Sequence, residues 1–145
     1  MLQIVLPAAA LGLTVYHVDG EGALQFGKAA VLTLGITYGL KYAVNEERPN
    51  GGGHSFPSGH SSMSFSASEF IRKRYGWKYG IPAYAAASFV GYSRVEARQH
   101  YVHDVIAGAA IGIASSYFFT KPYKDWNVQT EAGSGYYGVR LSRTW

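Results

Sequence analysis

Apolar residues fall into five long stretches, separated by short polar or glycine-rich breaks. The first runs from Leu2 to Val18 without a charged residue and contains Pro7. The second runs from Gly22 to Val44, with Lys28 near its start and Lys41 near its end. A third, Ser58 to Tyr75, is rich in serine and small residues. A fourth covers Tyr79 to Arg94, and a fifth covers Tyr101 to Thr120. All five read as helices, and several approach the ~17–25 residues that cross a bilayer. The third is too polar to insert alone and is expected inside a bundle, shielded by its neighbours. Gly35 with Gly39 and Gly108 with Gly112 have the small-xxx-small spacing that lets helix backbones approach closely. Asn45 to Pro57 contains Pro49, Asn50, Gly51, Gly52 and Gly53, breaker residues that predict a loop.

The expected fold is therefore all-α: a bundle of about five helices over residues 1–121, embedded in a membrane, then a polar tail over 122–145. In that tail Tyr137, Val139, Leu141, Arg143 and Trp145 alternate, which is a strand pattern. One strand cannot close a barrel, so a plain polar tail is the expectation. The first apolar stretch lacks the basic residues that open a signal peptide. The expectation is a chain that begins inside a longer precursor.

Composition narrows the function. The 145 residues suit one domain, and 48% of them are hydrophobic, too many for a disordered chain. Charged residues make up 15%, where about 25% is usual. With no cysteine, disulfide scaffolds, thiolate metal sites and cysteine nucleophiles are excluded. The net charge of +4 suits an anionic partner. There is no basic stripe with interleaved aromatics, so nucleic acid is not expected. No obligate protein partner is expected either.

Three short segments carry chemistry. Lys41 and, after six residues, Arg48-Pro49 bracket the end of the second helix and the loop after it. Pro57-Ser58-Gly59-His60 ends the loop and opens the third helix, with Ser58 a natural N-cap. The free N–H groups of such a helix start favour an anion, and His60 sits in that first turn. Ser93-Arg94, five residues, His100, three residues, Asp104 forms the last segment. His100 and Asp104 share a helix face at i,i+4 spacing, so the carboxylate can fix the imidazole tautomer. His103 neighbours Asp104 at i,i+1 and is expected to point away from that face.

Taken singly, each segment has a structural explanation. Antiparallel packing of the helices, however, brings Lys41, Arg48, Ser58, His60, Arg94 and His100 to one rim. Three cations, two imidazoles and a helix N-terminus suit phosphoryl transfer. One histidine would attack phosphorus while the other protonates the leaving oxygen. No cluster of carboxylates is at hand for a metal, and no cofactor is expected.

In order and spacing, the three segments resemble the signature motifs of the type-2 phosphatidic acid phosphatase superfamily, which groups membrane lipid phosphatases, bacterial acid phosphatases and vanadium haloperoxidases. The resemblance covers residues 41–104. It implies an all-helical, metal-free phosphatase with His100 as the nucleophile that becomes a phosphohistidine and Asp104 as its partner. It implies His60 as the acid for the leaving group and then the base for water. Lys41, Arg48, Ser58, Gly59 and Arg94 would bind phosphate. Membrane members usually have six spanning helices, against five here, which points to a further helix upstream. The substrate expected is a phosphomonoester or diphosphate of a membrane lipid. A soluble periplasmic acid phosphatase is the alternative, favoured by a mean hydropathy of −0.05. A vanadate-dependent haloperoxidase and a non-catalytic phosphate binder rank lower. Arg72, Lys73, Arg74 and Lys78, with Lys121 and Lys124, lie at the far end from the rim. The positive-inside rule then places the protein in a bacterial inner membrane with its active rim facing the periplasm.

Overall fold

The structure is a computed structural model that describes residues 2–122, 125–133 and 136–144, with side chains from 4 to 122. Lys124 and Trp145, which entered the sequence reading, lie outside the described residues. Five helices follow one another: α1 (Leu2–Tyr16), α2 (Gly20–Val44), α3 (Gly59–Tyr75), α4 (Trp77–Glu96) and α5 (Val102–Phe119). The bundle is all-α, as the apolar pattern predicts. Past it, β1 (Asp125–Gly133) and β2 (Tyr136–Thr144) form an antiparallel hairpin, with Asp125 opposite Thr144 and Gly133 opposite Tyr136. The alternating stretch near the end of the chain thus has a partner strand just before it, whose sequence does not alternate clearly.

The helix ends follow local chemistry. Asp19 caps α2, its carboxylate accepting the Gly22 amide at 2.9 Å. Asn45 closes α2 in the left-handed conformation at φ 46°, which Asn tolerates better than most residues, and its amide returns to the Lys41 carbonyl. Ser58 caps α3, its hydroxyl accepting the Ser61 amide at 3.3 Å.

The polar helix α3 lies at the centre and contacts all four others. Its serines are buried and bonded sideways. Thr37 donates to Ser62 at 3.0 Å, and Thr33 donates to Ser66 at 3.2 Å. Ser66 and Ser116 share a bond of 2.8 Å, so hydroxyls tie α2, α3 and α5 together. The outside is apolar instead: Val31 is 73% exposed and Phe118 77% exposed. Polar inside and apolar outside is the distribution of a bundle in lipid, where buried hydroxyls hydrogen-bond across helices. Among the described residues, α5 is the one helix long and apolar enough to cross a membrane by itself. The apolar part of the core gathers Leu6, Ala10, Phe26, Phe70, Ile71 and Ala87. At the α2 N-terminus Arg74 closes a buried ion pair with Asp19, at 2.6 and 2.7 Å. Burial pushes the Asp19 carboxyl up, but Arg74, the Gly22 amide and the Tyr75 hydroxyl outweigh it and hold the group below its ordinary value.

The two glycine pairs behave differently. A Cβ on Gly112 would stand 2.1 Å from the Ser62 carbonyl oxygen, and one on Gly108 2.5 Å from the Ser58 carbonyl oxygen. These glycines are where α5 presses on α3. Gly35 and Gly39 have nothing within 4 Å of such a position, so that pair does not mark a helix crossing. Gly112→Ala is therefore expected to lose at least ~1–3 kcal/mol, because backbone cannot step aside. Gly35→Ala is expected to be neutral or to gain up to about 1 kcal/mol from helix propensity. Unfolding in detergent measures both, and equal losses would contradict the α3–α5 crossing.

Candidate active site

The loop of residues 45–57 connects α2 to α3 and is folded back onto the bundle. Arg48 holds it from inside: its amide bonds the Gly52 carbonyl at 2.6 Å and its Nε bonds the Gly53 carbonyl at 3.1 Å. Arg48 Nη1 also reaches Gln99 Oε1 at 2.9 Å, which ties the loop to the segment before α5. Lys41 Nζ donates to the His54 carbonyl at 3.0 Å, and His54 Nδ1 returns a bond to the Lys41 carbonyl. Both cations are thus fixed by backbone oxygens. Lys41 lies over the start of α3, its Cε 3.8 Å from where a Gly59 Cβ would be.

The start of α3 is anchored to the start of α5. The Ser58 amide donates to the Asp104 carbonyl at 3.0 Å. The amides of Gly59 and His60 belong to a first turn whose N–H groups have no intrahelical acceptor. Arg94, in the last turn of α4, accepts the Gln99 amide at 3.1 Å and the His100 amide at 3.4 Å on its carbonyl. Its guanidinium Nε is buried with no hydrogen-bond partner among the described residues, and its charge is within electrostatic reach of His60.

His100 is 2% exposed, and its Nδ1 lies 3.6 Å from Asp104 Oδ2. That is ion-pair range, longer than a hydrogen bond. Catalytic contacts of this kind tighten when substrate is bound. Asp104 Oδ2 also accepts the Tyr101 amide at 2.8 Å and the Ser55 hydroxyl. Burial first, then the charges of Lys41 and Arg48, hold the His100 imidazole below its ordinary pKa, against the opposing pull of the Ser55 backbone and Asp104. The ring is thereby favoured in its neutral form, which a nucleophile requires.

One cavity of about 530 Å³ brings Lys41, Arg48, Gly59, His60 and His100 together. Apolar residues share its wall, among them Ile4, Pro7, Leu34 and Met63. Ser58, Arg94 and Asp104 do not line it. Three features escaped the sequence reading, one of them His54, which lines the cavity beside Lys41. Ser55 is fully buried against Asp104, and nothing in its sequence context besides nearness to Pro57 marks it. The third is His103, which does not point away from Asp104. Its Nε2 lies 3.1 Å from Asp104 Oδ1 and 2.9 Å from Glu46 Oε1. Both residues sit in the first turn of α5, where a long imidazole reaches back across its neighbour, and the loop presents Glu46 to meet it.

Comparison with known proteins bears on the family and the fold. A Helicobacter pylori protein named lipid A 4′-phosphatase is 34% identical over 99% of this chain and 80% of its own length. A lipid A 1-phosphatase of the same species is 30% identical over 73% of this chain and 60% of its own length. The crystal structure of Aquifex aeolicus LpxE has the same fold, with a TM-score of 0.66 at 22% identity, covering 81% of this chain and 84% of that one. A transmembrane PAP2-type phosphatidylglycerolphosphate phosphatase from Bacillus subtilis aligns with a TM-score of 0.51, also at 22% identity, over 81% of this chain and 74% of that one. The class so defined is that of the helical, membrane-type phosphatases. The chain belongs to the PAP2 superfamily, whose pattern matches residues 50–127.

Proposed function

We propose that the protein is an inner-membrane phosphatase that removes a phosphate monoester from a lipid A-type glycolipid through a phosphohistidine. One observation carries this reading. The cavity joins Lys41, Arg48, His60 and His100 to the apolar side chains of Ile4, Pro7, Leu34 and Met63. A phosphate borne by an amphiphile needs both kinds of wall. The two Helicobacter relatives favour lipid A, and the one that matches nearly the whole chain favours the 4′-phosphate. The apolar exterior supports a bilayer, and the basic residues Arg72, Lys73, Arg74, Lys78 and Lys121 at the opposite end support a periplasmic site.

The chemistry follows from the placement of each group. Lys41 and Arg48 neutralise the nonbridging oxygens from the cavity wall, Arg94 adds a positive charge from nearby, and the Gly59 and His60 amides at the Ser58-capped helix start donate to them. Asp104 faces Nδ1 of His100, which leaves Nε2 to attack phosphorus. The P–N bond forms as the P–O bond to the lipid breaks, and His60 gives its proton to the departing oxygen. Water then attacks the phosphohistidine, the P–N bond breaks, and His60 takes the water proton. Fixed cations and amides supply the electrostatic stabilisation that a metal ion gives other phosphatases.

The test is phosphate release by the detergent-purified protein from lipid A carrying a 4′- or a 1-phosphate, from phosphatidate and from p-nitrophenyl phosphate, all in EDTA. Fastest release from the 4′-phosphate, undiminished by EDTA, is expected. A requirement for added magnesium or zinc, or full recovery of the protein in water after alkaline extraction of membranes, would overturn the reading.

A further inference from the structure

Outside the cavity the structure holds one cluster of metal-ligating side chains among the described residues: Glu46, His103 and Asp104. Neither Glu46 nor His103 is part of the cavity wall. Glu46 comes from the loop after α2, and the other two come from the first turn of α5. His103 Nε2 stands 2.9 and 3.1 Å from the two Glu46 oxygens and 3.1 Å from Asp104 Oδ1. A single imidazole N–H can be directed at one acceptor, not at carboxylates on two sides. The Asp104 contact is accordingly not a hydrogen bond: Oδ1 is buried without a hydrogen-bond partner, on a residue that is 0% exposed. Oδ2, by contrast, is fully engaged by Ser55 and the Tyr101 amide. A buried carboxylate oxygen with no hydrogen bond, facing a nitrogen and a second carboxylate, is a donor suited to a cation.

The donor spacing fits one. Bonds of about 2.0–2.2 Å to nitrogen and oxygen in a tetrahedron put neighbouring donors somewhat over 3 Å apart. From His103 Nε2 the carboxylate oxygens stand 2.9–3.1 Å away, a few tenths of an ångström closer than that, and the donor atoms of all three residues lie within 4.8 Å of one another. The ring is also held in place, stacked on Tyr101 at 5.4 Å between centroids and flanked by Phe56 at 6.1 Å. One nitrogen and two carboxylates suit a borderline divalent cation such as zinc better than the all-oxygen preference of magnesium or calcium.

We propose that Glu46, His103 and Asp104 form an inhibitory binding site for zinc or a similar divalent cation, behind the His100–Asp104 pair. His103 Nε2 binds the cation through the lone pair of the neutral ring. The cation draws on the carboxylate that faces His100 Nδ1. The ion is not part of the catalytic chemistry; it withdraws the carboxylate that orients the nucleophile.

Calorimetric titration of the EDTA-stripped, detergent-purified full chain with zinc chloride tests the site directly. One equivalent is expected to bind, and Glu46→Gln and His103→Asn are each expected to weaken binding at least tenfold. Cobalt should develop visible absorption in the wild type and lose it in both variants. Zinc should slow phosphate release by the wild type, while Glu46→Gln keeps its zinc-free rate and needs at least tenfold more zinc for the same inhibition. Absence of binding, or equal zinc affinity in wild type and variants, would mean that the cluster is an imidazolium held between two carboxylates and would overturn the proposal. The binding measurements decide this whichever phosphate ester proves to be the substrate.

Discussion

Replacing His100 with alanine is expected to remove phosphate release and phosphoryl-enzyme formation together, by at least about 10⁴-fold, since loss of a nucleophile that works with an orienting partner is commonly of that size or larger. The expectation rests on position. His100 is in the wall of the cavity, its Nδ1 faces Asp104, and burial with the nearby Lys41 and Arg48 charges favours the neutral ring. No other described imidazole combines these features: His54 bonds the Lys41 carbonyl, and His103 lies behind the pair, against Glu46. Because His100 is only 2% exposed, truncation also leaves a void, and a loss of fold must be separated from a loss of chemistry. His100→Gln keeps most of the volume and should be equally inactive with a near-normal melting temperature. Radiolabelled substrate followed by an alkaline quench reads the intermediate directly. Acid-labile, base-stable phosphate on the wild type and none on either variant is the expected result. Label retained by His100→Gln would move the nucleophile elsewhere.

Much of this site was legible because its parts are local. Ser58 caps a helix after Pro57, and that reading needs only neighbouring residues. His100 does face Asp104, as their spacing suggested, but not as a helix pair: it lies two residues before α5, with its amide on the Arg94 carbonyl. The rim itself followed from antiparallel connectivity, which put Lys41, Arg48, His60 and His100 at one end once five helices were assigned. What stayed hidden depends on contacts between distant segments. The i,i+1 rule placed His103 away from Asp104, yet that rule describes Cβ directions inside a helix. At the first turn of α5 a long side chain reaches back, and Glu46, 57 residues earlier, gives it a second partner. Ser55 has the same character: its hydroxyl serves a carboxylate 49 residues away. The glycine pairs make the point from the other side. Gly35 with Gly39 and Gly108 with Gly112 have the same spacing, and only the second pair meets another backbone. Spacing permits close approach, and the neighbour decides whether it happens.

His60→Ala should separate the two histidines by the leaving group. His60 is in the first turn of α3 and shares the cavity wall with His100, on the side of the Arg94 charge. In the proposed reaction it protonates the oxygen that leaves and later deprotonates water. A lipid alkoxide is a poor leaving group, so loss of the proton donor is expected to cost ~10²–10⁴-fold in turnover. Nitrophenolate departs without a proton, so the first step with p-nitrophenyl phosphate should be largely preserved in His60→Ala. The second step still lacks its base. The phosphoenzyme should therefore accumulate, and rapid mixing should show a burst of nitrophenolate of about one equivalent followed by slow turnover. His100→Ala has no phosphoenzyme to accumulate and should show neither burst nor turnover with either substrate. An equal loss factor for the lipid and for p-nitrophenyl phosphate in His60→Ala, with no burst, would mean that His60 binds phosphate rather than moving a proton.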